Sequence, residues 1–338
     1  MLAAAEWLAI ALGVLGLIAV VVWLKFREAL RLQLTRINQG SRIVPSRFGQ
    51  IEYASAGDGE PVLISHGAGG GFDQVISAST QLIATGYQVI APSRFGYLRS
   101  SNPTDPSPAN QASAYAALLD ALGIQSVPIL GISAGALSAL HFALRYPERC
   151  RSLTLIVPAA ASVGELLPPQ GRLPEQGWLS RAIINITVRS DFLFWLGIVL
   201  APNRMIRSVL ATNPSVLADA SPNERKRVHN LLWNILPLSK RAQGLLNDAR
   251  YTSTSQSIAL DQITVPALVI SLEDDFYRTI APARFIAAKI PGARLVTYSS
   301  GGHIWAGHDA ELFSEVMAFL KANRQSLPSS PYRVRREA

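Results

Sequence analysis

Residues 127–146 read VPILGISAGALSALHFALRY. The first part is a short apolar run without alternation, as expected of a strand buried on both faces. The stretch from 134 to 145 reads as a helix. Between them stands Gly131-Ile132-Ser133-Ala134-Gly135. G-x-S-x-G between a strand and a helix has a mechanical meaning. A serine on a strained turn has its Oγ exposed, and the flanking glycines leave room for a tight backbone. Ser133 is therefore the candidate nucleophile. The motif alone is a weak signal; the strand ahead and the helix behind give it weight.

Working outward, similar runs recur at 49–54, 61–65, 88–91, 152–157, 266–271 and 294–298. Helix-like stretches lie at about 74–85, 109–122, 281–290 and 310–323. Strands alternating with helices predict an α/β fold: a mostly parallel sheet with helices on both faces. The rhythm breaks once. Residues 162–260 hold no clear strand and read as helices at about 179–188, 191–200, 204–212, 222–235 and 240–249. Set between two core strands, they read as an inserted helical cap. The expected organisation is an anchor and basic juxtamembrane helix at 1–40, core at 41–161, cap at 162–260, core again at 261–325, and a basic flexible tail at 326–338.

The anchor is Trp7 to Leu24, WLAIALGVLGLIAVVVWL, 18 uncharged residues. As a helix it spans about 27 Å against a hydrocarbon core of about 30 Å. Trp7 and Trp23 stand at its ends, where amphipathic rings favour the interfaces. A cleaved signal peptide would want positive charge ahead of the run and a small-residue cleavage site after it. Glu6 is the only charged side chain ahead, and the segment behind is basic and bulky. The run reads as an uncleaved single pass, and the positive-inside rule puts the Lys25–Arg36 side, with the catalytic body, in the cytoplasm.

The 338 residues carry a formal charge of +8. Residues 25–47 hold six basic residues and one acid, 321–338 hold five and one, and 48–320 balance to zero. A nucleic-acid domain would carry its excess on the folded face that docks, so nucleic acid is set aside as a partner. The single Cys150 excludes an intramolecular disulfide and reads as a small buried hydrophobe at the start of a strand.

The remaining chemistry follows strand ends. His66-Gly67-Ala68-Gly69-Gly70-Gly71 comes directly after the run at 61–65. Glycines there let backbone N–H groups approach an oxyanion; Ala68 and Ala134 are the candidate donors. A phosphate loop would need Lys-Ser/Thr, and Phe72 stands where the last glycine of G-x-G-x-x-G belongs. A base is sought downstream. His303, in the loop after 294–298, is preferred to His308, which begins the next helix; His229 falls in the cap and His141 inside the helix after Ser133. The acid lies in Glu273-Asp274-Asp275, because the other strand end reads Pro158-Ala159-Ala160-Ala161. Asp275 is chosen, with Asp274 the alternative. Such a carboxylate would hold the imidazole tautomer and stabilise the imidazolium.

Together the HGAGG loop, Ser-Arg-Phe-Gly-Tyr at 93–97, GISAG, the Leu272-Glu273-Asp274-Asp275 turn and Ser-Ser-Gly-Gly-His at 299–303 resemble the α/β-hydrolase superfamily, over about residues 42–325. Ser-Asn-Pro at 101–103 and Gln-Ala-Ser-Ala-Tyr at 111–115 further resemble bacterial members. The resemblance implies eight strands and a lid after the sixth. The superfamily's usual G-x-x-D acid maps onto Asp275, though Leu272 replaces the glycine, which keeps Asp274 open. It implies a covalent acyl-enzyme on Ser133, with no metal or organic cofactor. The expected activity is hydrolysis of a small-molecule or lipid-like carboxylic ester or thioester. The alternatives are another cofactor-free chemistry on the same fold (lyase, perhydrolase or acyltransferase) and a non-catalytic, membrane-tethered binding protein. Residues 192–200 are nine apolar residues within the cap, too few to cross a bilayer. They read as a cap helix packed on the core, with a lipid-leaning or acyl-pocket helix as the alternative.

Overall fold

The computed structural model describes residues 2–160, 188–218, 220–254 and 258–324. The expected helix at 179–188, apart from Val188, and the tail at 326–338 lie outside the described residues. Eight strands form one sheet: β1 (Arg42–Ser46), β2 (Gly49–Ala56), β3 (Glu60–Ser65), β4 (Tyr87–Pro92), β5 (Val127–Ile132), β6 (Cys150–Ile156), β7 (Ala267–Leu272) and β8 (Arg294–Tyr298). Their order is β1-β2-β4-β3-β5-β6-β7-β8. β2 runs antiparallel to both neighbours, and β3 to β8 are mutually parallel. Seven of these strands overlap the apolar runs. The eighth, β1, reads RIVPS, too polar and too short to stand out. Among the described residues it pairs only with β2, and an edge strand is where a sheet tolerates a proline such as Pro45.

The uninterrupted apolar runs follow from burial on both faces. Leu63, Ile129, Leu153, Leu155 and Val269 pack into one layer with α4 (Pro108–Ala121), α5 (Gly135–Arg145) and α10 (Ile280–Lys289). Their neighbours Val62, Ile64, Leu130, Ile156 and Leu268 pack into the opposite layer with α2 (Phe72–Ala78), α3 (Thr80–Ala84) and α11 (Asp309–Ala322). The single helix expected at 74–85 is two: Ser79 leaves helical geometry, closing α2 with an N–H bond to the Ile76 carbonyl at 3.3 Å.

Between β6 and β7 lie α6 (Asp191–Leu200), α7 (Pro202–Val209), α8 (Pro222–Trp233) and α9 (Ala242–Ser253). They share a core of Phe194, Trp195, Ile198, Val228 and Leu232, joined by Phe26 from the N-terminal helix α1 (Leu2–Ile37). The stretch Glu6–Ile37 of α1 is long and apolar enough to cross a membrane. Its large apolar side chains from Trp7 to Leu24 are mostly exposed; burial begins at Phe26 and returns at Ile37. All the elements of the site described next lie at the carboxyl ends of the parallel strands, beside these helices.

Candidate active site

β5 ends at Ile132 and α5 begins at Gly135, so the chain reverses in two residues. Ser133 takes φ 51°, a left-handed conformation that side chains rarely adopt. Neighbouring backbone holds it there. The Ser133 N–H donates to the Ile156 carbonyl at 2.9 Å, and the Ser133 carbonyl accepts from the N–H groups of Ala136 at 3.0 Å and Ala159 at 3.1 Å. The glycines are dictated by space: a Cβ on Gly135 would stand 2.3 Å from the Ser65 carbonyl oxygen, and one on Gly131 would stand 2.7 Å from the Ala139 Cβ.

After β8 the chain forms one 3-10 turn, Gly302–Ile304, that carries His303. His303 Nε2 stands 2.8 Å from Ser133 Oγ, and Nδ1 stands 2.8 Å from Asp275 Oδ2. The Asp275 carboxylate also accepts from the Thr279 hydroxyl and, at 2.8 Å, from the Tyr277 N–H. Burial pushes this carboxyl up, but the His303, Thr279 and Tyr277 hydrogen bonds outweigh it and hold it below the usual carboxylate range. The Tyr277 ring meets the imidazole edge-on at 4.8 Å. Asp274 faces elsewhere: it accepts from the N–H groups of Gly301 at 3.1 Å and Gly302 at 2.8 Å, bracing the loop that presents His303. Glu273 pairs at the surface with Arg284.

The other histidines lie apart from Ser133. His308 faces Glu311 at 2.8 Å and stacks on Tyr298. His229 accepts from the Trp233 indole at 2.9 Å. His141 is pushed down to about 4 by burial and by Arg145.

The loop 66–71 passes beside the serine: a Cβ on Gly67 would lie 3.1 Å from the Ser133 Cβ. Ala134 is the N-cap of α5, so its neighbourhood is a helix N-terminus, which favours an anion. Ala68 lines the cavity with Gly67, Gly69 and Ser133. His66 is part of the scaffold. Its Nδ1 hydrogen-bonds the Gly67 carbonyl at 2.7 Å, and its Nε2 accepts from the Arg94 N–H at 3.0 Å. Burial, reinforced by the Arg94 charge, holds it neutral, well below the usual histidine range.

Two buried charge clusters, not singled out in the sequence, brace this loop. Arg94 grips Asp248 of α9 through two bonds of 2.6 Å each; the Tyr97 hydroxyl donates to Asp248 and accepts from the Gly69 N–H at 3.2 Å. Arg241, ahead of α9, donates to the Gly70 carbonyl and grips Asp73, which also accepts from Arg36 of α1. Arg94 and Tyr97 fall in the Ser-Arg-Phe-Gly-Tyr segment. Asp73, Arg241 and Asp248 carry no local signal.

Above Ser133 and His303 opens a cavity of about 400 Å³, walled by apolar residues such as Phe194, Val209, Leu210, Leu231, Ile235 and Leu238. A second chamber of about 330 Å³ shares Gly67, Gln74, Ile132, Leu231 and Trp305 with it and reaches Asn223, Lys226 and Asn230 of α8. Among the described residues, no group of three or more His, Cys, Asp or Glu side chains is disposed to hold a metal ion.

Residues 60–306 match the family model described as alpha/beta hydrolase fold. The uncharacterized hydrolase YcgS of Bacillus subtilis is 30% identical over 290 residues, 81% of this chain and 96% of that protein. The 2-hydroxy-6-oxo-6-phenylhexa-2,4-dienoate hydrolase of Burkholderia cepacia is 25% identical over 283 residues, 81% of this chain and 92% of that protein. Among solved structures, an alpha/beta hydrolase fold protein from Nakamurella multipartita superposes with TM-score 0.70 at 24% identity, covering 84% of this chain and all of that one.

Proposed function

The chain belongs to the alpha/beta hydrolase fold family, and on that premise we propose that it is a membrane-anchored serine hydrolase cleaving a carboxylic ester or thioester. The observation that carries this reading is the chain of contacts from Ser133 Oγ through His303 to Asp275, 2.8 Å at each step. His303 takes the Ser133 proton as Oγ attacks the acyl carbonyl, and Asp275 holds the imidazole tautomer and stabilises the imidazolium. The N–H groups of Ala68 and Ala134 receive the oxyanion. The leaving group takes the proton from His303. Water, activated by the same imidazole, then releases the acid. The apolar walls of the larger cavity suit an acyl chain. Residues 7–24 anchor the enzyme, and the basic residues that follow favour a cytoplasmic catalytic body.

A second reading draws on the Burkholderia cepacia relative, whose named substrate is an oxo acid with no ester. The same groups would then cleave a carbon–carbon bond next to a ketone. One experiment separates the readings: label the purified full chain with a fluorophosphonate beside Ser133→Ala, then assay acyl esters and a 2-hydroxy-6-oxo-dienoate. Labelling lost in the variant, with ester turnover, is expected. Labelling with turnover of the dienoate alone favours the second reading, and an unlabelled wild type overturns both. For topology, a reporter fused after Ala338 is expected to be active only in the cytoplasm.

A further inference from the structure

The apolar span of α1 ends at Leu24, and its last turn already packs against the helices between β6 and β7 through Val22, with Phe26 buried next. No spacer separates the span from the body. The part of the body that meets this point is α6. Phe26 touches Phe192 and Trp195 at ring distances of 5.2 and 5.7 Å, and Trp23 lies 6.3 Å from Phe192. If Trp23 marks the membrane interface, the Phe192 end of α6 lies at the same depth.

α6 reads DFLFWLGIVL. Beyond Asp191 it has no charged or hydrogen-bonding side chain other than the Trp195 indole, so its outer side is as apolar as its inner one. The inner side is filled: Phe194, Trp195 and Ile198 are buried, and Phe194 lines the cavity over Ser133. The outer side is bare: Leu193, Val199 and Leu200 are 47%, 48% and 73% exposed. A helix apolar on all sides needs an apolar partner on each. Ten residues are too short to cross a bilayer, and α7 turns away at 118°. Exposed basic residues lie on the adjoining segments: Lys25 and Arg27 on α1, Arg189 ahead of α6, and Arg204 and Arg207 behind it, Arg207 over the Phe276 ring. The acids nearby in sequence are Glu28 and Asp191, and Asp191 is taken up by Ser239.

We infer that the outer face of α6 is a second membrane contact, lying in the interface beside α1, with the basic residues against anionic headgroups. The occupant is the lipid bilayer. The inference rests on the anchor reading given under the proposed function. It leaves the cavity wall one helix thick on the membrane side.

The test uses the full chain in vesicles of equal parts phosphatidylcholine and phosphatidylglycerol. Spin labels are placed one at a time at Val14→Cys in α1, Leu200→Cys in α6, and Glu148→Cys, exposed on the core, as the aqueous reference. The native Cys150 is buried, which keeps it out of the labelling. Collision rates with oxygen and with a water-soluble nickel chelate are then read. Lipid-like rates at both Val14 and Leu200, high for oxygen and low for nickel, are expected. A lipid-like Val14 with a nickel-accessible Leu200 overturns the inference and leaves the anchor standing. Low rates for both reagents at Leu200 mean that protein covers it, and also overturn the inference. Water-like rates at Val14 remove the anchor and the inference together.

Discussion

Arg241 of the cap grips Asp73 of the core with two guanidinium nitrogens, at 3.2 and 2.8 Å from the two carboxylate oxygens, and both side chains are almost wholly buried. The same guanidinium donates to the Gly70 carbonyl, so it ties the cap to the loop beside Ser133. Breaking a buried pair strands a charge and costs about 3–5 kcal/mol, whereas replacing both partners with apolar groups costs far less. Asp73→Leu, which strands the buried Arg241, is expected to lower the unfolding free energy by about that much. Arg241→Met, which leaves Asp73 its Arg36 partner, is expected to cost less, and the double variant to recover part of the Asp73→Leu loss. Denaturant melts of the full chain in micelles read this. An Asp73→Leu variant within about 1 kcal/mol of wild type would count against the cluster as a brace.

The two neighbouring acids have different work in the structure, which separates their variants. Asp275→Asn removes the charge that the imidazole faces, and a loss of about 10³- to 10⁴-fold in kcat is expected, by analogy with triads elsewhere. Asp274→Asn keeps one acceptor for the Gly301 and Gly302 N–H groups. It is expected to cost about 1–2 kcal/mol in stability and about tenfold or less in rate. The reverse ranking in steady-state assays would move the acid role to Asp274.

Acid stability follows from lowered groups: His66 and His141 among the histidines, and Asp73, Asp275 and Glu224 among the carboxylates. His66 is held neutral, so the unfolded chain binds a proton first as pH falls; this stabilisation is complete above about pH 6.5 and declines below it. Burial pushes Asp73 up, but Arg241 and Arg36 hold it low overall, and Asp275 is low for the reasons already given. Their contributions are complete above about pH 3.9 and vanish as pH falls toward their lower folded values. Below about pH 6.5, His66 and His141 are each expected to take up to about 1.4 kcal/mol per pH unit from the stability, and His66→Gln should remove its own share of that slope. A slope unchanged in the variant would assign the protons to other groups.

The serine turn has no room for a methyl group. With a Cβ set 2.3 Å from the Ser65 oxygen, Gly135→Ala must displace backbone. A loss of about 3 kcal/mol or more in stability, with loss of fluorophosphonate labelling, is expected. Gly13→Ala, with nothing within 4 Å of the added Cβ, is the neutral control.

Much of this architecture is written locally. Strands buried on both faces must be apolar without interruption, so 127–132, 152–157 and 266–271 stand out, whereas the polar edge strand Arg42–Ser46 does not. The break at Ser79 was also invisible, because the helical pattern runs through it. Ser133 is legible because its turn chemistry lies within five residues. His303 is legible because it follows a strand end. Two adjacent carboxylates at the next strand end are one residue apart, and no local rule says which one turns toward an imidazole 28 residues downstream.

What the sequence by itself determined is therefore the set of short-range facts: alternating strands and helices, a serine on a glycine-flanked turn, an apolar helix long enough to cross a membrane, and a charge excess confined to the two ends. What only the tertiary structure decided is which distant groups meet. Arg241 and Asp73 are 168 residues apart and Arg94 and Asp248 are 154 apart, and each looks like an ordinary surface charge in its own segment. The physical reason is range. Hydrophobic periodicity and turn geometry act over a few residues, whereas a buried ion pair exists only once the chain has brought both partners out of water into one place.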